Sequence, residues 1–365
     1  MVAIVVVVLV AAGFAANSIT LDEYVFSPGV AQPVGPLITV PSGKAHTPHG
    51  NIYLTDIFLT RVRALQLPLY LLNGNDAVYS SAQVFGQSKA PPPTKVAHQE
   101  ALQMVVSSEL ARVVALRALG YPVPERNGAL IAQVVPGSPA GKQGRLVPGD
   151  AVTAVDGHPT TSADAAVDVL HTLHPGQTVT LTVHHTDGAL THDRLTLGHT
   201  PKKPSVPFAG VAIETGPYFV LPFQVKINSD GIGGPSAGLA FTLGIINQLT
   251  NGRLTGGHRV AATGTISLQG QVGTVGGVPQ KTIAVRNAGA TVFLVPPDNY
   301  HQALSKAGPD LKVISVATLS QALAALRSLG GKVPPTLHLT PTTTATSTTT
   351  TTTTTTTTPA GGAGG

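Results

Sequence analysis

The chain has 365 residues, room for two or three modest domains, and its formal charge of +5 comes from a sequence in which only 11% of residues are charged. With no long Lys/Arg block and 4% aromatic residues, that charge does not describe a nucleic-acid-binding surface; it implies at most a mild attraction to anionic surfaces. The lack of cysteine excludes disulfides and thiolate metal sites, and 40 glycines and 30 prolines set the composition apart from that of a compact cytosolic enzyme.

In chain order, residues 2–16 carry no charge, and the weakly polar continuation to Leu21 approaches the roughly 20 residues that span a bilayer. A membrane anchor over residues 1–21 is expected. A cleaved signal segment with Gly13-Phe14-Ala15 at the cut, or a buried N-terminal strand or helix, are the alternatives. No basic residue precedes the run, which is unusual for an export segment, and a start codon assigned too far downstream would account for it. Either export route places the rest of the chain outside the cytoplasm. Residues 22–95 read as a β-rich extracytoplasmic segment, with strands expected at Leu37–Val40, Ile52–Leu59 and Leu67–Leu72 and a break at the proline triplet 91–93.

Over 96–118 the apolar positions Leu102, Val106, Leu110, Val113 and Leu116 form a helical stripe, expected to pack. An apolar run at 128–135, a turn at 136–140, a second run at 146–157, a helix at 162–173 and a strand at 177–185 follow. His184, His185 and His192 flank the Asp187-Gly188 turn. Adjacent histidines on a strand point to opposite faces, so a solvated hairpin is expected there and no metal site. Ile232–Gly252 lacks charge, but its unbroken apolar part is only about a dozen residues, short for a membrane span and suited to a buried helix over Leu239–Leu249. Residues 331–365, with the threonine tract 348–358, cannot bury a core and read as a disordered tail, either an O-glycosylated stalk or a plain linker.

The chemistry gathers in two glycine-rich loops. Asp230-Gly-Ile-Gly-Gly-Pro-Ser-Ala-Gly238 sets Ser236 at the start of the apolar helix, where the amides of Gly234 and Ala237 are candidate donors to a developing negative charge. Gly273-Thr-Val-Gly-Gly-Val-Pro279 leads to Lys281 in the first turn of another helix. The positive end of that helix and an apolar site would both disfavour the ammonium, making Lys281 a candidate base near pH 7. Taken alone, Gly-Pro-Ser is equally an N-cap, and a lysine beside a glycine loop is more often solvated.

The runs Gly-Gly-Pro-Ser-Ala-Gly at 233–238, Ala-Thr-Gly-Thr-Ile-Ser-Leu-Gln-Gly-Gln-Val at 262–272 and Val-Gly-Gly-Val-Pro-Gln-Lys at 275–281 resemble the proteolytic domain of Lon-family serine proteases. The similarity continues through 290–296 and 316–323, covering about 205–330. It implies Ser236 as nucleophile, Lys281 as general base and Thr263 as the hydroxyl that helps position the dyad. Two positions depart from the family. Gly233 stands where an acidic residue usually precedes Gly-Pro-Ser, with Asp230 the nearby candidate to take over, and Thr265 replaces the acidic residue that commonly follows Thr-Gly. Both departures point to the membrane-anchored, PDZ-containing branch, whose extracytoplasmic entry Tyr24–Gly29 also resembles. The order of elements across 117–199 is similar to a bacterial PDZ domain. Such domains add an extended peptide as a strand and capture its terminal carboxylate on backbone amides. The matching loop is Leu119, Gly120, Tyr121, Pro122 and Val123, although Pro122 lacks a donor and the turn is as readily structural.

The fold class that follows is mixed α+β: anchor at 1–21, β-rich segment at 22–95, helix plus PDZ domain at 96–199, Lon-type proteolytic domain at 205–330, and tail at 331–365. The expected function is an ATP-independent Ser–Lys endopeptidase acting outside the cytoplasm on peptides or unfolded proteins, since the sequence has no Gly-x-x-x-x-Gly-Lys-Ser/Thr loop. The PDZ domain would bind or gate substrate. No cofactor, ATP or nucleic acid is expected, and the resemblance implies a homo-oligomer, often a ring. A non-catalytic envelope scaffold that binds peptide tails is the alternative.

Overall fold

The computed structural model describes residue 4 and residues 17–87, 89–200, 203–229 and 231–334. Most of the expected anchor, together with Asp230 and the threonine tract of the tail, lies outside these residues. Among the described residues, no helix is long and apolar enough to cross a membrane.

Of the two six-stranded sheets among the described residues, the first draws on both the N-terminal and the C-terminal parts of the chain. Its strand order is Lys312–Ser315, Val292–Val295, Arg259–Ala262, Asn51–Arg63, Thr20–Pro33 and Ala77–Ser80. The first four strands are mutually parallel and the last two pairings antiparallel. The strands at 260–262 and 292–295 are buried throughout, as expected for parallel strands covered on both faces. On one face, Ile52, Leu54, Val260, Ala262 and Leu294 pack under the helices Gly238–Leu249, Pro93–Ala118 and Leu319–Ser328. On the other, Tyr53, Ala261, Phe293 and Val295 pack under Val278–Asn287 and Tyr300–Ala307. The period-2 alternation along each strand assigns alternate side chains to these two layers.

Helix Gly238–Leu249 is apolar on every side because it is sealed on every side; each residue from Gly238 to Gln248 is buried. Its uncharged sequence is thus that of a core helix. The strands set in the segment 22–95 and those of 205–330 share this one sheet through the Asn51–Arg63 to Arg259–Ala262 pairing. Leu67–Leu72 is a helix and not the expected strand. Pro68 sits in its first turn, where a missing N–H costs nothing, and Leu69, Leu71 and Leu72 project from the surface without joining a sheet.

The second sheet is antiparallel, in the order Val211–Phe219, Glu125–Val134, Ala151–Val155, Thr178–His184 and Leu190–Thr196, with the short strand His158–Pro159 also paired to Ala151–Val155. Ile131, Val152, Leu181, Val183 and Leu195 form its core, covered by helix Ala163–His171. Helix Pro93–Ala118 leads from the first sheet into this one. It stops at Gly120, whose φ of 82° lets the chain turn back so that the Gly120 and Tyr121 amides bond the carbonyls of Arg117 and Leu116.

Candidate active site

Ser236 ends a turn whose geometry is fixed from two directions. Its carbonyl accepts the Gly264 amide at 2.9 Å and the Thr263 hydroxyl at 3.3 Å, so the strand end at Ala262 sets the height of the serine. From the other side, the long helix contributes the Ser107 hydroxyl to the Pro235 carbonyl at 3.0 Å, and the Glu100 carbonyl accepts the Gly234 amide at 3.0 Å. The Gly234 amide is therefore spent on the scaffold and does not serve as the anion donor expected of it. The amides of Ser236 and Ala237 meet no acceptor among the described residues. They are the donors that this helix start offers.

Lys281 lies one turn into helix Val278–Asn287. The chain enters that helix through Gly277, at φ 67°, where a Cβ would come within 2.7 Å of the Ile57 side chain. The Lys281 ammonium is 2.7 Å from Ser236 Oγ and donates to the Thr55 carbonyl at 3.0 Å. Only 4% of the residue is exposed. Burial lowers its pKa from 10.5 to about 8, against the opposing pull of the Asp56 carboxylate. Ser236 and Lys281, 45 residues apart in sequence, thus form a hydrogen-bonded pair in which a desolvated amine faces a hydroxyl.

The pair opens into a cleft of about 750 Å³ whose walls include Phe26, Phe58, Phe85 and Val96, with Asp56 and Glu100 as its carboxylates. Burial raises the Glu100 pKa. At Gly233, where the family resemblance leads one to expect an acidic residue, a Cβ would stand 3.0 Å from both the Cβ and the Oε2 of Glu100. Thr265 pairs with Gly273, which leaves room for its hydroxyl. Thr55, Asp56, Glu100 and Ser107 were not singled out from sequence. Two of them act through backbone carbonyls, which have no side-chain signature, and all four belong to segments remote from the glycine loops.

The loop Leu119–Val123 spends most of its donors on its own helix. The amides of Leu119, Gly120 and Tyr121 all donate to carbonyls at the end of their own helix, and Pro122 has none to give. Tyr121 stacks edge-on against Phe223, and Val123 is buried. The three hairpin histidines diverge as expected, but the hairpin is not simply solvated. His185 bridges the buried Asp150 and Thr191, both at 2.9 Å; His192 meets Thr182; and His184 lies against Tyr218. No group of three or more acidic or histidine side chains suited to a metal occurs among the described residues.

Residues 228–326 match the family model of the Lon protease (S16) C-terminal proteolytic domain, and residues 116–194 match that of the PDZ domain. The Lon protease of Campylobacter concisus is 36% identical over 94 residues, which are 25% of this chain and 11% of that protein. Lon protease 2 of Bacillus subtilis is 36% identical over 104 residues, 28% of this chain and 18% of that protein. The matched region thus spans less than a fifth of either curated relative. Among solved structures, the PDZ domain of an SdrC-like protein from Listeria innocua is similar at 25% identity, covering 24% of this chain and 92% of that one, with a TM-score of 0.21.

Proposed function

We propose, from the premise that this chain joins a PDZ domain to a Lon-type proteolytic domain, that it is a serine endopeptidase driven by the Ser236–Lys281 dyad. The observation that carries the reading is the 2.7 Å contact between Ser236 Oγ and a lysine whose pKa burial has brought down to about 8. Neutral Lys281 takes the Oγ proton as Ser236 attacks the peptide carbonyl carbon. The electron pair moves onto the carbonyl oxygen, and the Ser236 and Ala237 amides are the proposed donors to it. Lys281, now charged, returns that proton to the leaving amine as the C–N bond breaks. Water then attacks the acyl-serine with Lys281 again as base, releasing the acid and restoring the hydroxyl. Thr263 acts on this reaction through the Ser236 carbonyl and is a positioning residue.

The substrates proposed are peptides or already unfolded segments, cut without ATP. Support comes from the lack of a phosphate-binding Gly-Lys-Ser/Thr loop in the sequence and from an open cleft, lined by both aromatic and polar side chains, in which an extended chain would lie. The PDZ domain is proposed to present or gate them. Arg112, on the helix between the two sheets, donates to Val225 ahead of the serine loop and to Thr186 of the PDZ hairpin. An extracytoplasmic, membrane-anchored placement is proposed from the uncharged run 2–16. The exposed leucines 69, 71 and 72 support it, since the Ala64 amide just ahead of their helix bonds the Ile19 carbonyl where that run leads in. Retention in washed membranes tests that placement, and sedimentation of the solubilised protein tests the homo-oligomer.

Cleavage of casein by the full chain, without ATP, tests the central reading. Ser236→Ala and Lys281→Ala are each expected to lower the rate at least 1,000-fold, on the order seen when a nucleophile or its base is removed. Full activity in Ser236→Ala would refute the mechanism.

A further inference from the structure

The strand Val211–Phe219 lies beyond the 116–194 span of the PDZ match, yet it forms the outer strand of the PDZ sheet. It runs antiparallel to Glu125–Val134 over its whole length, from Val211 opposite Val134 to Phe219 opposite Glu125. Its other flank faces helix Ala163–His171, whose first amide, on Ala163, donates to the Thr215 hydroxyl at 2.9 Å. A strand added between a sheet edge and a helix is how a PDZ domain holds an extended peptide. We infer that the groove between strand Glu125–Val134 and helix Ala163–His171 is a peptide site whose resident ligand is the chain's own strand Val211–Phe219, and that an external peptide enters only by displacing it.

The strand is held at its ends and loosely in the middle. Val211 and Ile213 pack onto the PDZ core, and Tyr218 is buried against His184. Between them Glu214, Thr215 and Pro217 are exposed, and Gly216-Pro217 is a poor strand sequence: proline offers no amide to the ladder and glycine no side chain. A register irregularity between Ala212 and Ile213 interrupts the pairing further. The class of competitor follows from the same contacts. It is an extended internal segment with branched apolar side chains near one end and an aromatic near the other. A free carboxylate is not required, because the resident strand runs on past Phe219, with the Val220 amide on the Pro124 carbonyl, and the amides of Leu119–Tyr121 are already bonded. As a tethered ligand, the strand competes at an effective concentration in the millimolar range, so weakening it raises the apparent affinity for an outside peptide.

The test reads binding alone and is independent of the dyad, since it uses the full chain carrying Ser236→Ala. The probe is a fluorescein-labelled peptide with the sequence of residues 209–220, as free acid and as C-terminal amide. Ile213→Ser is expected to bind it at least tenfold more tightly than the unsubstituted strand, and both peptide forms equally well. Thr215→Val, which loses only the Ala163 contact, is the milder variant should Ile213→Ser not fold. Since the protein has no cysteine, Leu130→Cys with Glu214→Cys, opposite each other in the register, gives a reversible lock. Oxidation of that pair in the loosened variant should abolish binding, and reduction should restore it. Equal affinity in loosened, unsubstituted and oxidised forms, or no binding by a folded loosened variant, would overturn the inference. So would a strict requirement for the free acid.

Discussion

Lys281 exchanges water for two oxygen acceptors, Ser236 Oγ and Thr55 O, and its burial brings the pKa from 10.5 to about 8. At pH 7 roughly a tenth of such a group is neutral, so kcat/KM should rise with pH and level off above about 8. Asp56 raises that pKa by its charge. Asp56→Asn, which keeps an oxygen for the Val30 amide, is therefore expected to move the limb to lower pH in a pH–rate profile. An unmoved limb would assign it to another group. The same shift is a stability statement. Between the folded value near 8 and the unfolded 10.5 the unfolded chain binds the extra proton, so this group's contribution is complete above 10.5 and is lost as pH falls through about 8.

At the scale of elements, helix Pro93–Ala118 acts as the brace of the serine turn. Ser107 and Glu100, two turns apart on it, hold Pro235 and Gly234, and Arg112 reaches the Val225 carbonyl at 2.8 Å. The approach of Glu100 to Gly233 explains why the usual acidic residue is absent: a side chain there would meet a carboxylate already pushed towards protonation by burial. Gly233→Asp is expected to cut casein hydrolysis about tenfold, through like-charge repulsion worth roughly 1 to 2 kcal/mol at the turn. Glu100→Ala in the same chain should recover most of the loss. Failure of that rescue in a correctly folded double variant would mean that the aspartate disturbs the turn by itself.

For the whole molecule, the proteolytic fold is not contained in residues 205–330. Strand Asn51–Arg63 closes the parallel half of its sheet and supplies Thr55 to the lysine, and Thr20–Pro33 pairs along that strand in turn. Removal of residues 17–64 would expose the edge of Arg259–Ala262 and uncover Val260 and Ala262 beneath Ile52 and Leu54. A chain begun at residue 96 is accordingly expected to keep the unfolding transition of the PDZ sheet, whose core has no residue before 129, and to lose the cooperative transition of the sheet that holds the dyad. A second sharp transition in the shortened chain, beyond that of the PDZ sheet, would place the stability of the dyad's sheet elsewhere.

The sequence by itself determined the local elements whose signals are written in neighbouring residues. The packing helix (though not its stripe residue Val106, which is exposed), the buried helix after Ser236, the hairpin of diverging histidines and the serine and lysine in their glycine loops were legible, because helix periodicity, capping and loop composition act over a few residues. It misjudged Leu67–Leu72, where apolarity alone does not separate a strand from a short exposed helix. Only the tertiary structure decided which backbone groups remain free. The Gly234 amide goes to Glu100, the amides of Leu119–Tyr121 to their own helix, and Thr55 enters the site through a carbonyl. It also decided that strand Val211–Phe219 fills the PDZ edge and that an N-terminal strand completes the proteolytic sheet. Backbone hydrogen bonds between distant segments depend on where the chain is brought to lie, and every residue but proline offers the same donor and acceptor, so the side-chain sequence carries no mark of them.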